Sequence, residues 1–355
     1  MRIITKNRYN RAIFFRIMEW IRYLDMALKI AINGLGRIGR CVARIIADRD
    51  DTELVAVNAS GSHEMIAYNL KYDSVHGTRS DVKVEEGYLC IGNERAKILS
   101  ERDPAKIDFN AENADIILEC TGAFLTQESV QAYVDKGIKK VLFSAPAKDD
   151  TPTFVLGANE ELYAGQAIVS NASCTTNGLA PVAKVLDDAF GIKNGLMTTI
   201  HSYTSSQPIL DGKHKKEPRK GRSGATNLVP TTTGAAKAIS KVLPNLAGKL
   251  NGQAIRVPTP DVSMVDLTVT LNKDVTVEMI QAAFKNASEG SHQGILGVDE
   301  EYRVSQDFVG ESLSTVVAMD TIQVIDNNLV KVLSWYDNEW GYSSRLVDMA
   351  IHISK

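Results

Sequence analysis

Apolar residues fall in two different rhythms along this chain, and the change comes near Cys174. Before it, short near-continuous apolar runs at 28–33, 53–58, 115–119 and 140–144 alternate with stretches of helical spacing. Runs without a polar face, joined by helical crossovers, predict a parallel sheet covered on both sides. After it, runs such as 262–269 and 329–335 place apolar residues at every second position. That rhythm predicts a mixed or antiparallel sheet with one face solvated or covered by helices. A run at 196–200 reads as a strand ending at His201, and 339–354 has the spacing of an amphipathic helix. The expected fold class is α/β: a Rossmann-type doubly wound parallel sheet plus an α+β domain with a mixed or antiparallel sheet.

The first 25 residues depart from this pattern. Six basic residues (Arg2, Lys6, Arg8, Arg11, Arg16 and Arg22) face only Glu19 and Asp25, and Arg16 and Glu19 break the apolar stretch far short of a membrane span. Met26 then opens the first clean strand pattern, so residues 1–25 are read as an N-terminal extension outside the core. Composition adds exclusions. With 355 residues, 44% hydrophobic, 23% charged and a net charge of −3, the chain has no field that would recruit nucleic acid or an anionic membrane. Four scattered cysteines (Cys41, Cys90, Cys120, Cys174) form no CxxC pair and no metal-ligand spacing, which fits a reducing compartment and gives metal binding no support.

Two places carry chemistry. The first is Gly34-Leu35-Gly36-Arg37-Ile38-Gly39, with a strand before it and a helix pattern of Ile38, Val42, Ile45 and Ile46 after it. A lone GxGxxG is weak, but this context is that of a dinucleotide-binding turn, where glycine lets backbone approach a pyrophosphate at the positive end of a helix. On that basis 26–173 is read as the dinucleotide-binding domain, completed by a C-terminal helix at 338–355, and 174–337 as the catalytic domain. The acid that would hold the adenosine ribose at the next strand's tip is missing, and Asn58-Ala59-Ser60 stands there. Either the loss of negative charge admits a 2′-phosphate, or Ala59 is neutral and Asn58 still holds the ribose.

The second place is Ser170-Asn171-Ala172-Ser173-Cys174-Thr175-Thr176-Asn177. Small hydroxylated residues lead into a helical pattern (Leu179, Val182, Val185, Leu186), which puts the sulfur at a helix N-terminus, where free N–H groups and the dipole favour thiolate. His201 lies 27 residues on, and cysteine plus histidine makes an activated nucleophile. A cysteine hydrolase needs no more than that pair, but it has no use for a dinucleotide turn.

SNASCTTN, His201 in IHSYT, INGLGRIGR, PTTTGAAKA (230–238), RVPTP (256–260) and WYDNEWGY (335–342) together resemble phosphorylating glyceraldehyde-3-phosphate dehydrogenases, in the family's order from residue 26 to the C-terminus. The resemblance implies a cytoplasmic homotetramer of glycolysis and gluconeogenesis that takes glyceraldehyde 3-phosphate, inorganic phosphate and NAD or NADP. Erythrose-4-phosphate dehydrogenase, on the same scaffold, is the alternative. It implies that Cys174 carries a thiohemiacetal and then a thioester, and that His201 lowers the thiol pKa and shuttles the proton. Ser173, Thr175, Thr233 and Gly234 match the inorganic-phosphate site, and Thr204 and Arg256 the site for the substrate's own phosphate. Asn33, Gly34, Gly36, Arg37, Ile38, Gly39, Asn58, Ala59, Ser60, Arg102, Ser144, Asn338 and Tyr342 match the cofactor wall. Ser206 departs from the family's Asp, and Gly178 from a frequent second cysteine. The basic loop 211–222 puts Gly212-Lys213 in place of a Leu-Pro and, in this family, reaches the adenosine ribose of a neighbouring subunit. Lys213 is thereby expected to read a phosphate there.

Overall fold

The computed structural model describes residues 27–214 and 217–355, apart from the Lys237 side chain. The expected extension at 1–25, the strand start at Met26, and Lys215 and Lys216 of the basic loop lie outside these residues.

Strands β1 (Leu28–Asn33), β2 (Thr52–Asn58), β3 (Val82–Glu85), β4 (Tyr88–Ile91), β5 (Glu94–Leu99), β6 (Ile116–Glu119), β7 (Lys140–Phe143) and β8 (Ile168–Ser170) form one sheet. Its order is β8-β7-β6-β1-β2-β5-β4-β3. The pairs from β8 across to β5 are parallel. Alternate residues of one strand enter different cores: Ile30 and Ile32 pack with helix α1 (Arg37–Ile46) on one face, while Ala31 joins Val55, Ile117 and Val141 on the other. Burial on both faces explains why these runs lack a polar side. The sheet departs from the expected all-parallel form at one edge, where β3, β4 and β5 are antiparallel. Glu86 and Gly87, at φ 49° and 82°, close the β3–β4 hairpin in the left-handed region that a tight two-residue turn requires. Both hairpin strands are only four residues long, and β3 carries Lys83 and Glu85, so their periodicity is weak.

Strands β9 (Ile192–Ser202), β10 (Val229–Thr232), β11 (Leu250–Val257), β12 (Ser263–Leu271), β13 (Leu296–Asp299), β14 (Thr315–Ala318), β15 (Gln323–Ile325) and β16 (Leu329–Tyr336) form the second sheet. Its order is β10-β11-β9-β12-β16-β14-β13, with β15 on β16. It is mixed: β9 runs parallel to β11 and antiparallel to β12. Helix α2 (Cys174–Phe190) covers one face, burying Leu179, Val182 and Leu186 against Val265, Leu267 and Val332. The last helix, α3 (Trp340–Ser354), returns to the first sheet and packs Leu346, Val347, Met349 and Ile353 beside Ile30 and Val42. It is buried far beyond the single stripe of an amphipathic surface helix, because α1 covers it as well.

Candidate active site

Cys174 is the first residue of α2, and Ser173 is its cap. The Ser173 hydroxyl accepts from the Thr176 N–H at 3.1 Å and lies 2.8 Å from the Thr176 hydroxyl. The turn before it is held in the left-handed region at a non-glycine residue, Ala172 (φ 56°), a strained geometry characteristic of functional sites. Strand β9 carries His201 to the same point. Its Nε2 is 3.5 Å from the Cys174 Sγ, a thiol–imidazole contact joining the start of a helix to a strand end. Beneath them the Tyr336 hydroxyl lies 2.9 Å from the Thr175 hydroxyl and 2.7 Å from that of Thr199. Tyr336 also sets its ring edge-on to His201, with centroids 5.9 Å apart. Nothing in the local sequence pattern marked Tyr336 as a partner of this pair.

Sheet register sets Arg256 of β11 directly beside His201 of β9. Its Nη1 donates to the His201 Nδ1 at 2.7 Å and to the Ser202 carbonyl at 3.1 Å. Burial pushes the His201 imidazole down, and Arg256 adds to that, bringing it to about 3. Burial pushes the Cys174 thiol up, against the pull of Arg256, the Thr175 hydroxyl and two backbone N–H groups. Burial thus works against the charged form of each group, while Arg256, the Thr175 hydroxyl and the N–H groups of the helix start favour the thiolate. The alkylation rate of Cys174 by iodoacetamide is accordingly expected to climb with pH through neutrality and beyond. A plateau reached below neutral pH would contradict this.

The cofactor end is a cleft of about 550 Å³ lined by Gly34, Gly36, Ala59, Ser60, Arg102 and Thr121, among others. Gly34 has φ 97°, and a Cβ there would stand 2.8 Å from Thr121. A Cβ on Gly39 would meet the Gly34 carbonyl at 2.0 Å, while around Gly36 the space is open. Together they leave a backbone cradle at the start of α1, which fits a pyrophosphate. Gly39→Ala is expected to force the turn open, lowering dinucleotide affinity by roughly tenfold or more, as isothermal titration would read.

Several expected cofactor residues are tied into the protein around this cleft, and Asn33 and Asn58 are among those that line it. Asn33 is fully buried and donates to Glu119 at 2.6 Å and to the Tyr133 hydroxyl at 3.1 Å. Asn58 donates to Asn33 at 2.7 Å and to the Glu101 carbonyl at 2.8 Å, and accepts from the Glu101 N–H. These bonds use both amide protons of Asn58 and one of the two lone pairs on its Oδ1, and the residue lines the cleft. The Arg37 guanidinium is clamped by Glu339 and, at 2.5 Å, by Asp73, which leaves its backbone as the part facing the cradle. Ile38 packs against the core, and the Ser144 hydroxyl donates to the Glu119 carbonyl at 2.9 Å. Between the two sites, Asn338 accepts at Oδ1 from Ser202 (2.7 Å) and Ser263 (2.6 Å), which aims its amide nitrogen the opposite way. The Tyr342 hydroxyl donates to the Ala172 carbonyl at 2.9 Å, so only its ring is left for a ligand.

Residues 28–127 match the description "Glyceraldehyde 3-phosphate dehydrogenase, NAD binding domain", and residues 173–338 match "Glyceraldehyde 3-phosphate dehydrogenase, C-terminal domain". Over 331 residues the chain is 50% identical to glyceraldehyde-3-phosphate dehydrogenase of Shimwellia blattae, covering 93% of this chain and all of that protein. It belongs to the glyceraldehyde-3-phosphate dehydrogenase family. Glyceraldehyde-3-phosphate dehydrogenase A of Escherichia coli K12 is 50% identical over 332 residues, with the same coverage of both chains. The glyceraldehyde-3-phosphate dehydrogenase of Salmonella typhimurium LT2 matches equally, at 50% over 332 residues.

The remaining positions singled out by the family resemblance are spread over three places. The Thr204 hydroxyl lies 2.9 Å from that of Ser206, so the serine standing for the family's Asp keeps a hydrogen bond there. Thr233 and Gly234 line a cleft of about 910 Å³ with Arg219 and Asn251, at the start of helix Ala235–Val242. Lys213 is exposed on its loop, where Arg222 pairs with Asp211 at 2.7 Å and Lys220 with Glu217 at 2.8 Å. Lys213 is not among the residues that line the Ala59 cleft of its own chain. No helix among the described residues is long and apolar enough to cross a membrane.

Proposed function

We propose that this chain oxidises glyceraldehyde 3-phosphate to 1,3-bisphosphoglycerate, using NAD(P) and inorganic phosphate, through a thioester on Cys174. The observation that carries this is the contact of Cys174 Sγ with His201 Nε2 beside Arg256. The thiol sulfur attacks the aldehyde carbon while its proton passes to His201 Nε2 and the carbonyl electron pair moves to oxygen; Nε2 then returns that proton to the oxygen, giving a thiohemiacetal and a neutral imidazole. The N–H groups at the start of α2 lie where that oxyanion develops. The bound nicotinamide supplies the hydride acceptor, and Asn338 is the residue placed to hold its carboxamide. His201 takes the hydroxyl proton, which leaves an acyl thioester on Cys174. Inorganic phosphate then attacks the acyl carbon, the thiolate leaves, and the acyl phosphate is released. Ser173, Thr175, Thr233 and Gly234 are the groups proposed to hold the attacking phosphate, while Thr204 and Arg256 hold the substrate's own. Guanidinium suits phosphate oxygens well.

A homotetramer is proposed as the working form. Leu196, Ile209, Leu210 and Leu228, each 67–80% exposed, are apolar surface that a contact between copies would cover. The same contact would bring Lys213 to a neighbour's ribose. With Ala59 removing negative charge and Ser60 exposed in the cleft, NADP is expected to be used at least comparably to NAD. Ala59→Asp should lower kcat/KM for NADP by roughly ten- to a hundredfold, with NAD much less affected. Wild-type preference for NAD above a hundredfold would overturn the dual-cofactor reading. Phosphate-dependent reduction of NAD and NADP, compared on glyceraldehyde 3-phosphate and erythrose 4-phosphate, tests the assignment of substrate.

A further inference from the structure

Asn338 follows the end of β16 by two residues and meets a serine from each of the next two strands of the sheet. Ser202 closes β9, directly after His201, and Ser263 opens β12. Both serines are fully buried and Asn338 is nearly so. The Asn338 Oδ1 is 2.7 Å from the Ser202 hydroxyl and 2.6 Å from that of Ser263. The Ser263 oxygen also accepts from the Ser202 N–H at 3.1 Å.

Counting protons decides which end of the amide faces the serines. Two hydroxyl protons need acceptors at buried positions. With Oδ1 toward them, each proton meets one of its two lone pairs. With the amide turned over, Nδ2 would donate into both serine oxygens. One serine proton could then turn to the other serine, 3.4 Å away, and the second would have no acceptor among the described residues. A buried hydroxyl left unpaired is costly. Separations of 2.6 and 2.7 Å are also those of O–H···O bonds, shorter than the usual N–H···O. Nδ2 is left without a protein partner among the described residues.

We infer that Ser202 and Ser263 are positioning residues that set the chemical specificity of the nicotinamide pocket: they fix Asn338 as a donor toward the ligand, so the site takes a dinucleotide whose pyridinium ring carries a hydrogen-bond acceptor at C3 and rejects one that offers only a donor there. This rests on the reading that Asn338 meets the carboxamide. An asparagine free to turn would serve either kind of ring, because one end donates and the other accepts. The lock makes the carboxamide oxygen, not its NH2, the end that faces Asn338. Because Ser202 follows His201 on β9, the ring is thereby registered on the strand that carries the proton acceptor.

The test titrates the full chain, freed of dinucleotide, with three ligands in a calorimeter. They are NAD, its 3-acetylpyridine analogue, which keeps the carbonyl oxygen and loses the NH2, and its 3-aminopyridine analogue, which keeps an NH2 and loses the carbonyl. In the wild type the acetylpyridine analogue is expected to bind within about threefold of NAD, and the aminopyridine analogue roughly ten- to a hundredfold more weakly. In Ser202→Ala and Ser263→Ala the two analogues should draw together, reaching about threefold of each other in the double variant, as the amide is released to turn. A general loss of packing would weaken both analogues alike and leave their ratio standing, and that result overturns the inference. So does equal affinity for the two analogues in the wild type, whatever the variants do. The underlying reading fails separately: unchanged affinity for NAD in Asn338→Ala would remove Asn338 as the carboxamide ligand. If Asn338→Ala weakens NAD and erases the ratio while the serine variants keep it, Asn338 is the contact and the serines do not lock it.

Discussion

Cys174→Ser is expected to abolish the formation of reduced dinucleotide, by at least about 10⁴-fold in the burst rate, while dinucleotide affinity stays within about twofold of the wild type. Serine fits the site, since the side chain is partly exposed and begins a helix that tolerates either residue. What it lacks is chemistry. An alkoxide is far harder to form than a thiolate, so the serine hydroxyl gives up its proton to His201 far less readily than the thiol does. Even a hemiacetal formed at serine would yield an ester, which phosphate attacks more slowly than a thioester. The cofactor cleft is built from the turn at Gly34–Gly39 and the tip of β2, so titration of the dinucleotide should not sense the change. Equal loss of binding and turnover would mean that the helix start had been disrupted.

The second large effect is expected at His201. His201→Asn should lower the rate of acylation by roughly 10²–10⁴-fold, the usual range for a general acid–base group, again without loss of dinucleotide affinity. Asparagine keeps a donor and an acceptor near Arg256 and the Ser202 carbonyl, so the local hydrogen bonds are approximated while proton uptake is lost. Because Cys174 and His201 act on the same proton, the double variant should be little slower than Cys174→Ser alone. Stopped-flow bursts on the three proteins decide this. Losses that multiply would show that the two residues work in separate steps.

The elements legible in the sequence were those whose physical signal is local. The apolar runs of β1, β2, β6 and β7 announced themselves because both faces of that sheet are buried. The mixed sheet showed in the alternation of β12 and β16, which have one covered face. Cys174 was readable as the first residue of a helix because Ser173 and the following apolar spacing are both within a few residues. What escaped lay in contacts between distant positions. Asn33 meets Glu119 across 86 residues and Arg37 meets Glu339 across 302, and nothing in the spacing of either pair shows that they meet. For that reason the bonds that tie Asn58 to Asn33 and Arg37 to Glu339 were not legible, although the family resemblance singled out Asn58 and Arg37. The burial that pushes the Cys174 thiol up escaped for a related reason. The helix terminus is visible in the sequence, but the burial that opposes it is a property of the packed site.

The central claim, an acyl thioester on Cys174 formed with the help of His201, is tested most directly by mass spectrometry of the quenched enzyme. Holoenzyme is mixed with glyceraldehyde 3-phosphate without inorganic phosphate, stopped in acid after the burst, and digested. The account predicts one phosphoglyceryl group on the peptide that contains Cys174, in the same amount as the reduced dinucleotide formed. It also predicts that this adduct disappears when inorganic phosphate is added before the quench. Reduced dinucleotide without an adduct on Cys174, or an adduct indifferent to phosphate, would contradict it.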